Sequence, residues 1–82
     1  MKEIIYQPKA LRQLRKIPQQ QAIRTKIDEL KNFPDCRNIK HLTDHEYEYR
    51  LRVGNYRVFF NFDGKIDIIS IEEVRKRDEH TY

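Results

Sequence analysis

The sequence predicts an α+β fold in which an N-terminal strand precedes a helical hairpin packed on one face of a three- to four-stranded antiparallel sheet. Up to Phe33-Pro34, apolar residues recur mainly at the three- and four-residue spacing of a helix. From residue 39 onward they alternate with polar residues at the two-residue period of a strand. Helices grouped ahead of strands are typical of a two-layer α+β arrangement. At 82 residues, the chain is expected to form one domain over residues 1–82.

The N-terminal part is predicted to contain one strand and two helices. The β-branched run Glu3–Tyr6 is the first strand, and Pro8 suits the first turn of a helix. Pro18 ends that helix and can open the next, which stops at Phe33-Pro34. The apolar positions at helical spacing are Ala10, Leu11, Leu14 and Ile17 in the first helix and Ile23, Ile27 and Leu30 in the second.

The C-terminal part is predicted to form the sheet. Residues 39–42 suit a short strand, and Gly54-Asn55 is a two-residue turn signal inside the stretch EYEYRLRVGNYRVFF. A second turn is expected at Asp63-Gly64, with Gly64 in the left-handed conformation, followed by a last strand over residues 65–71. The positions expected to face the core are Tyr47, Tyr49, Leu51, Val53, Tyr56, Val58, Phe60, Phe62, Ile66 and Ile68.

The hairpin around Gly54-Asn55 brings several arginines together on the face that the helices leave free. A two-residue turn pairs Val53 with Tyr56, Leu51 with Val58 and Arg50 with Phe59, and places Arg52 directly opposite Arg57. Like charges in opposite positions cost stability. A phosphate held between them would convert this repulsion into binding, since the arginine fork matches phosphate oxygens. The alternative is a solvated basic face neutralised by Glu48, Asp67 or carboxylates of the tail.

The basic tail is a second candidate for the same site. Arg75, Lys76 and Arg77 follow the predicted last strand, with His80 and Tyr82 just beyond. If that strand lies beside the hairpin, these groups come to the same open face, where Arg75, Lys76 and His80 could bind RNA together with Arg52 and Phe59. The alternative is a frayed basic terminus.

Composition narrows the choice of partners and compartment. The chain has 17 Lys and Arg against 13 Asp and Glu, a net charge of +4, so nucleic acid is a natural partner. One cysteine suits a reducing cytoplasm, and no apolar run is long enough to cross a membrane. His41 and His45 are four residues apart in a strand-to-turn region, where side chains at this spacing need not point to the same place. Neither a metal nor another cofactor is therefore expected.

Four segments together resemble a known protein family. PKALRQLRKIP, IRTKIDELKNFP, YRLRVGNYRVFF and IISIEEVRKRDEHTY are similar to the RelE/ParE superfamily of toxins from type II toxin–antitoxin pairs, and more closely to its RelE-like branch. The resemblance implies a RelE-like α+β fold and a metal-independent mRNA interferase that cuts mRNA in the ribosomal A site and inhibits translation. The alternative that it implies is a ParE-like poison of DNA gyrase on the same fold.

The resemblance also implies roles for individual residues. Arg57 matches the arginine used against the scissile phosphate, and Arg50 and Arg52 match the basic residues before the turn. Arg77, or Lys76, matches a second phosphate-stabilising cation, and Tyr82 matches a C-terminal tyrosine that positions the substrate.

One position departs from the RelE pattern, and one surface is expected to meet a partner. Glu48 stands where RelE has lysine, which leaves Glu48, His80 and Tyr82 as candidate bases. The resemblance implies a neutralising antitoxin protein with an acidic segment. Phe59, in company with Ile69, is expected to offer that partner an apolar surface on the open face.

Overall fold

A computed structural model describes residues 2–77 and contains two helices packed against one five-stranded sheet. The strands are β1 (Glu3–Tyr6), β2 (Ile39–His41), β3 (Tyr49–Val53), β4 (Tyr56–Asp63) and β5 (Ile68–Lys76). The helices are α1 (Pro8–Arg15) and α2 (Gln20–Asp28), and a 3₁₀ turn at Glu29–Asn32 extends α2. The predicted α+β class, N-terminal strand and helical hairpin are therefore confirmed.

The sheet is larger than predicted and is mixed rather than antiparallel. Its strand order is β1-β5-β4-β3-β2, and β1 runs parallel to β5 while the other neighbours are antiparallel. The two helices connect β1 at one edge of the sheet to β2 at the other edge, and the chain returns through β3 and β4 to β5 beside β1. A strand as short as EIIY looks the same in sequence whichever way its partner runs, so the sequence could not show this pairing.

The core lies between the helices and one face of the sheet. Leu14 of α1, Ile27 of α2 and Phe60 of β4 have no exposed surface. Phe33 packs edge-on against Tyr49 and Phe60, with ring centroids 5.0 and 5.7 Å apart. The helical spacing of apolar residues thus predicted the buried helix face correctly. In the described part of the chain, neither helix has the length and apolar character needed to span a bilayer.

The predicted hairpin register is confirmed in full. Arg52 pairs with Arg57, and the other predicted partners also face one another across β3 and β4. The turn is closed by Gly54 at φ 56°, the first central residue of the pair, as in a type II′ turn.

The second turn was predicted less well. Asp67, at φ 56°, is its left-handed residue, and Gly64 is not. The turn is consequently longer than expected and β5 begins at Ile68. Ile66 is 63% exposed, and Ile68 is half-buried on the open face with Ser70, so the prediction that both point into the core is wrong. The core positions of this strand are instead Ile69 and Ile71.

A bulge in β5 decides which of its side chains face away from the helices. Phe59 pairs with Glu73, but the next residue, Phe60, pairs with Ile71, so Glu72 is an extra residue. Ile71 faces the core before the bulge and Val74 faces it afterwards. Without that extra residue, Glu73 would share the core face of Ile71. The bulge therefore turns Glu73 and Arg75 to the open face.

Candidate phosphodiester-binding site

Two rows of side chains cross the open face of the sheet. The first, which we call the arginine row, places Arg52, Arg57 and Arg75 in register on β3, β4 and β5. The second row consists of Lys40, Arg50, Phe59 and Glu73 on four neighbouring strands. Neighbouring strands lie about 4.8 Å apart. The arginine row is therefore a dense line of positive charge.

Most of this charge is not neutralised by the described part of the chain. Among residues 2–77, the salt bridges on the open face involve Arg75 and Lys9, and none involves Arg50, Arg52 or Arg57. Arg50 is half-buried, and its Nε atom is buried without a hydrogen-bond partner within that part. Glu48 and Asp67, which the predicted alternative named as neutralising groups, form no salt bridge with these arginines. Of the tail carboxylates it also named, Glu73 pairs with Arg75, and Asp78 and Glu79 lie outside the described residues.

Glu73 is the buried carboxylate next to the arginine row. It is 4% exposed. It accepts hydrogen bonds from Arg75 Nε, from Lys9 Nζ at 3.2 Å and from the Tyr47 hydroxyl at 2.8 Å. The hydrogen bond from Arg75 is the main reason that the pKa of Glu73 falls to about 2, and the bonds from Tyr47 and Lys9 add to it against the cost of burial. Glu73 is consequently ionised at neutral pH and fixes Arg75 in place.

Tyr47 lies on the open face, although the alternation of the sequence predicted it in the core. The strand begins only at Tyr49, so Tyr47 belongs to the preceding loop and does not follow the strand period. Burial, reinforced by the hydrogen bond donated to Glu73, raises the pKa of Tyr47 to about 12. Its hydroxyl therefore keeps its proton at neutral pH and serves to hold the loop on the sheet.

The loop over residues 42–48, which we call the covering loop, is anchored at both ends. Leu42 N donates to Glu48 O at 2.8 Å, and Glu48 N donates to Asn61 Oδ1 at 2.8 Å. The Glu48 carboxylate, a predicted candidate base, accepts a hydrogen bond from Phe62 N at 2.9 Å. One oxygen of this carboxylate is thus engaged in anchoring the loop, and Glu48 directly precedes the arginine-bearing β3.

Phe59 is not the exposed aromatic that the sequence predicted. It is only 5% exposed because the covering loop and Arg75 lie over it. The rings of His45 and Tyr47 lie 5.2 and 5.5 Å from its centroid, and the Arg75 guanidinium lies 5.2 Å away. Ile69, its predicted companion, is fully buried on the other face. The expected apolar surface is therefore absent from this part of the open face.

The sequence as a whole identifies the family. A family model for the ParE toxin of type II toxin–antitoxin systems (parDE) matches residues 4–81. The chain belongs to this family. It is a toxin of a type II toxin–antitoxin system with the RelE/ParE fold. No curated protein sequence matches it significantly.

Solved structures share the fold of the toxin. The RelBE2 toxin–antitoxin complex from Mycobacterium tuberculosis contains a chain 25% identical, with a TM-score of 0.78 over 93% of the toxin and 98% of that chain. The RelE–RelB complex from Pyrococcus horikoshii OT3 gives 21% identity and a TM-score of 0.80, covering 95% and 97%. The isolated E. coli RelE toxin gives 16% identity and 0.80, covering 99% and 89%. At such identities the last two show the fold alone.

The basic tail is only partly within the described residues. Arg77 N donates to Asn55 O at 2.6 Å, so the ladder beside the turn continues past β5. Strand alternation puts Arg77 on the side of Arg75, whereas Lys76 pairs with Tyr56 on the helix side. His80 and Tyr82 lie outside the described residues. Of the three basic residues predicted to lie on the open face, Arg75 belongs to the arginine row and Arg77 follows on the same side. The prediction for Lys76 is wrong, because strand alternation turns it to the helix side.

Sequence reasoning missed three members of the site, namely Lys9, Tyr47 and Glu73. Lys9 lies at the start of α1. Beyond the end of β1, α1 packs along the edge of β5, where Val74 N donates a hydrogen bond to Gln13 Oε1 and Lys9 reaches Glu73. Nothing in the helical pattern indicates that contact. Glu73 did carry a signal, because it is a carboxylate inside a strand of β-branched residues, but its face depended on the bulge.

Proposed function

We propose that this toxin is a ribosome-dependent endoribonuclease that cuts mRNA and so inhibits translation. The observation that supports the proposal is the set of cations Arg50, Arg52 and Arg57, which no carboxylate of residues 2–77 approaches within salt-bridge distance. Their mutual repulsion is relieved when an anion binds between them. A phosphodiester suits the site, since guanidinium groups form paired hydrogen bonds with phosphate oxygens.

The proposed reaction is attack by the 2′-hydroxyl of the RNA on the adjacent phosphorus. A base takes the hydroxyl proton, the bond from phosphorus to the 5′-oxygen breaks, and an acid gives that oxygen a proton. The products are a 2′,3′-cyclic phosphate and a 5′-hydroxyl, and the reaction requires neither a metal nor a cofactor. Arg57, Arg50 and Arg77 stabilise the negative charge that builds on the phosphate oxygens.

The base that removes the 2′-hydroxyl proton is a residue other than arginine. Arginine does not lose its proton in proteins, so it cannot be the base. The three candidates are Glu48, His80 and Tyr82. A modest base is sufficient if the ribosome orients the mRNA in its A site, because correct orientation itself lowers the barrier. Arg52 and Arg75, with His80 of the tail, are proposed to hold the flanking RNA backbone, whereas Lys76 lies on the helix side of the sheet.

The proposed partner in the resting cell is a cognate antitoxin. The similar structures from M. tuberculosis and P. horikoshii are a toxin–antitoxin complex and a RelE–RelB complex. We propose that an acidic segment of the antitoxin lies over the arginine row, since opposite charges there would replace the repulsion between Arg52 and Arg57. Bound in this way, it would exclude mRNA.

A second candidate function is poisoning of DNA gyrase. The observation that favours it is the matching family model, which describes the ParE toxin of parDE systems. On this hypothesis the arginine row is incidental to toxicity. A supercoiling assay with purified gyrase separates the two functions: inhibition of gyrase with translated mRNA left intact decides for the poison.

Mutation of Arg57 tests the proposed function in cells. We expect Arg57→Ala to abolish growth arrest and mRNA cleavage on induced expression, because the cation at the scissile phosphate is lost. Arg12→Ala is the matched control, since Arg12 is an exposed arginine of α1 on the helix side. Circular dichroism checks that both variants are folded. Arrest by folded Arg57→Ala at the wild-type level would exclude this assignment.

A further inference from the structure

The covering loop presents the ring of His45 to solvent beside the arginine row. His45 is exposed, and its ring lies nearly parallel to that of Phe59, with centroids 5.2 Å apart and an angle of 13° between the planes. A ring stacked in parallel uses one face for that contact and leaves the other turned away from it. Phe59 is thus the buried support of an exposed aromatic ring.

The His45 ring is held in a fixed orientation. Its Nδ1 accepts a hydrogen bond from Tyr47 N at 3.1 Å, which places the proton of the neutral ring on Nε2. Asp44, directly before it, adopts the left-handed conformation at φ 53°, which aspartate tolerates better than most residues. Tyr47, two residues beyond His45, donates a hydrogen bond from its hydroxyl to Glu73 at 2.8 Å. A ring held on both sides along the chain loses little freedom when a ligand stacks on it.

The distance from this ring to the phosphate site fits a nucleotide. The Arg75 guanidinium and the His45 ring both lie 5.2 Å from the Phe59 ring, so they are no more than about twice that distance apart. Arg57 precedes Phe59 by two positions on the same face of β4, a separation of about 7 Å along a strand. A phosphate on the arginine row would therefore place an attached base within reach of His45.

We propose that the exposed face of His45 is a stacking site for an unpaired nucleobase of the RNA whose phosphate binds the arginine row. This inference rests on the proposed function. Single-stranded RNA is bound by such pairs of features, since aromatic rings stack on its bases while arginines hold its backbone. Phe59 itself, which the sequence predicted to help bind RNA, is too deeply buried to meet a base.

Binding of two short RNA ligands tests the proposal. The probes are a fluorescent uridine hexamer and the corresponding hexamer of abasic ribose phosphates, which carries the same phosphates without bases. Fluorescence anisotropy at low salt gives the affinity of the full-length toxin for each. We expect His45→Ala to weaken uridine-hexamer binding about 5-fold or more, which is the lower end of what one stacked base contributes. Binding of the abasic hexamer should not change.

Two further variants make the result specific to a stacked ring. His45→Phe keeps an aromatic ring and should retain the wild-type preference for bases. His41→Ala is the matched control, because His41 is an exposed histidine that packs beside Tyr49 on the opposite face of the sheet, with centroids 5.1 Å apart. It should bind both ligands as the wild type does.

The outcomes separate this inference from the proposed function. If His45→Ala keeps the full preference for the uridine hexamer, the stacking site is wrong while the phosphate site stands. If the wild type binds neither hexamer, or if Arg57→Ala binds both as tightly as the wild type, the phosphate site itself is wrong and the stacking site falls with it.

Discussion

At the residue scale, Glu73 determines how the open face is built. It is nearly buried, it is ionised, and it joins a strand, a helix and a loop through Arg75, Lys9 and Tyr47. A buried carboxylate is tolerated only when hydrogen bonds replace its water. Since Glu73 pairs with Arg75, the arginines of the open face that lack a salt bridge within residues 2–77 are Arg50, Arg52 and Arg57, and these are the ones that we propose to bind the phosphate.

Replacing Glu73 should therefore reduce stability in a pH-dependent way. We expect Glu73→Gln to lower the free energy of unfolding by about 2 kcal/mol at pH 7, since hydrogen bonds to charged groups contribute roughly that much. The pKa of Glu73 is lowered from 4.5 to about 2 in the folded protein. Its stabilisation is thus complete above about pH 4.5 and is lost as the pH falls through about 2.

Urea unfolding at pH 7 and at pH 2.5 measures this effect. The difference between wild type and Glu73→Gln should shrink to less than half at the lower pH. Glu46→Gln is the control, because Glu46 approaches the same Arg75 at 3.8 Å with 65% of its side chain exposed. We expect it to change stability by less than about 0.5 kcal/mol at either pH. An equal effect of Glu73→Gln at both pH values would contradict the role of its charge.

At the element scale, the sequence predicts best where one pattern acts alone. The helices follow from apolar spacing and proline positions, and the β3–β4 register follows from a turn with glycine at its first central residue. The pairing of β1 with β5 and the bulge at Glu72 depend on contacts between distant segments, and the alternation of residues within one strand does not indicate such contacts. The bulge then decided the faces of Glu73 and Arg75. Part of the candidate site was therefore beyond sequence reasoning.

The two glycines of the turns should respond differently to alanine. Gly54 has φ 56°, a conformation that costs an L-residue about 1 kcal/mol or more, although a Cβ there would meet nothing within 4 Å. Gly64 lies outside that region, and its Cβ would make an ordinary contact with Phe62 at 3.4 Å.

Chemical unfolding compares the two variants directly. We expect Gly54→Ala to lose about 1 kcal/mol of stability and Gly64→Ala to stay within about 0.5 kcal/mol of the wild type. Equal losses in the two variants would show that the left-handed residue of the hairpin had been assigned wrongly.

At the scale of the whole molecule, the sheet separates the main apolar core from the proposed binding face. The helix side holds the main apolar core, with Leu14, Ile27 and Phe60 completely buried. The open side holds the arginine row, the buried Glu73 and the covering loop. In a chain of 82 residues few apolar side chains can be spared for binding, so the binding face that we propose consists mainly of cations on the far side of the sheet. This division also explains why the core was predictable from hydrophobic pattern, whereas the site required the tertiary structure.

The most direct test of the account is cleavage of an mRNA positioned in the A site of purified ribosomes. The wild-type toxin should cut it and leave a 2′,3′-cyclic phosphate and a 5′-hydroxyl. Arg57→Ala should be about 100-fold slower or worse, as for the loss of one group that stabilises a transition-state anion. Arg12→Ala should cleave at the wild-type rate. Cleavage by Arg57→Ala at the wild-type rate, or intact mRNA alongside inhibition of gyrase by the wild type, would contradict the account.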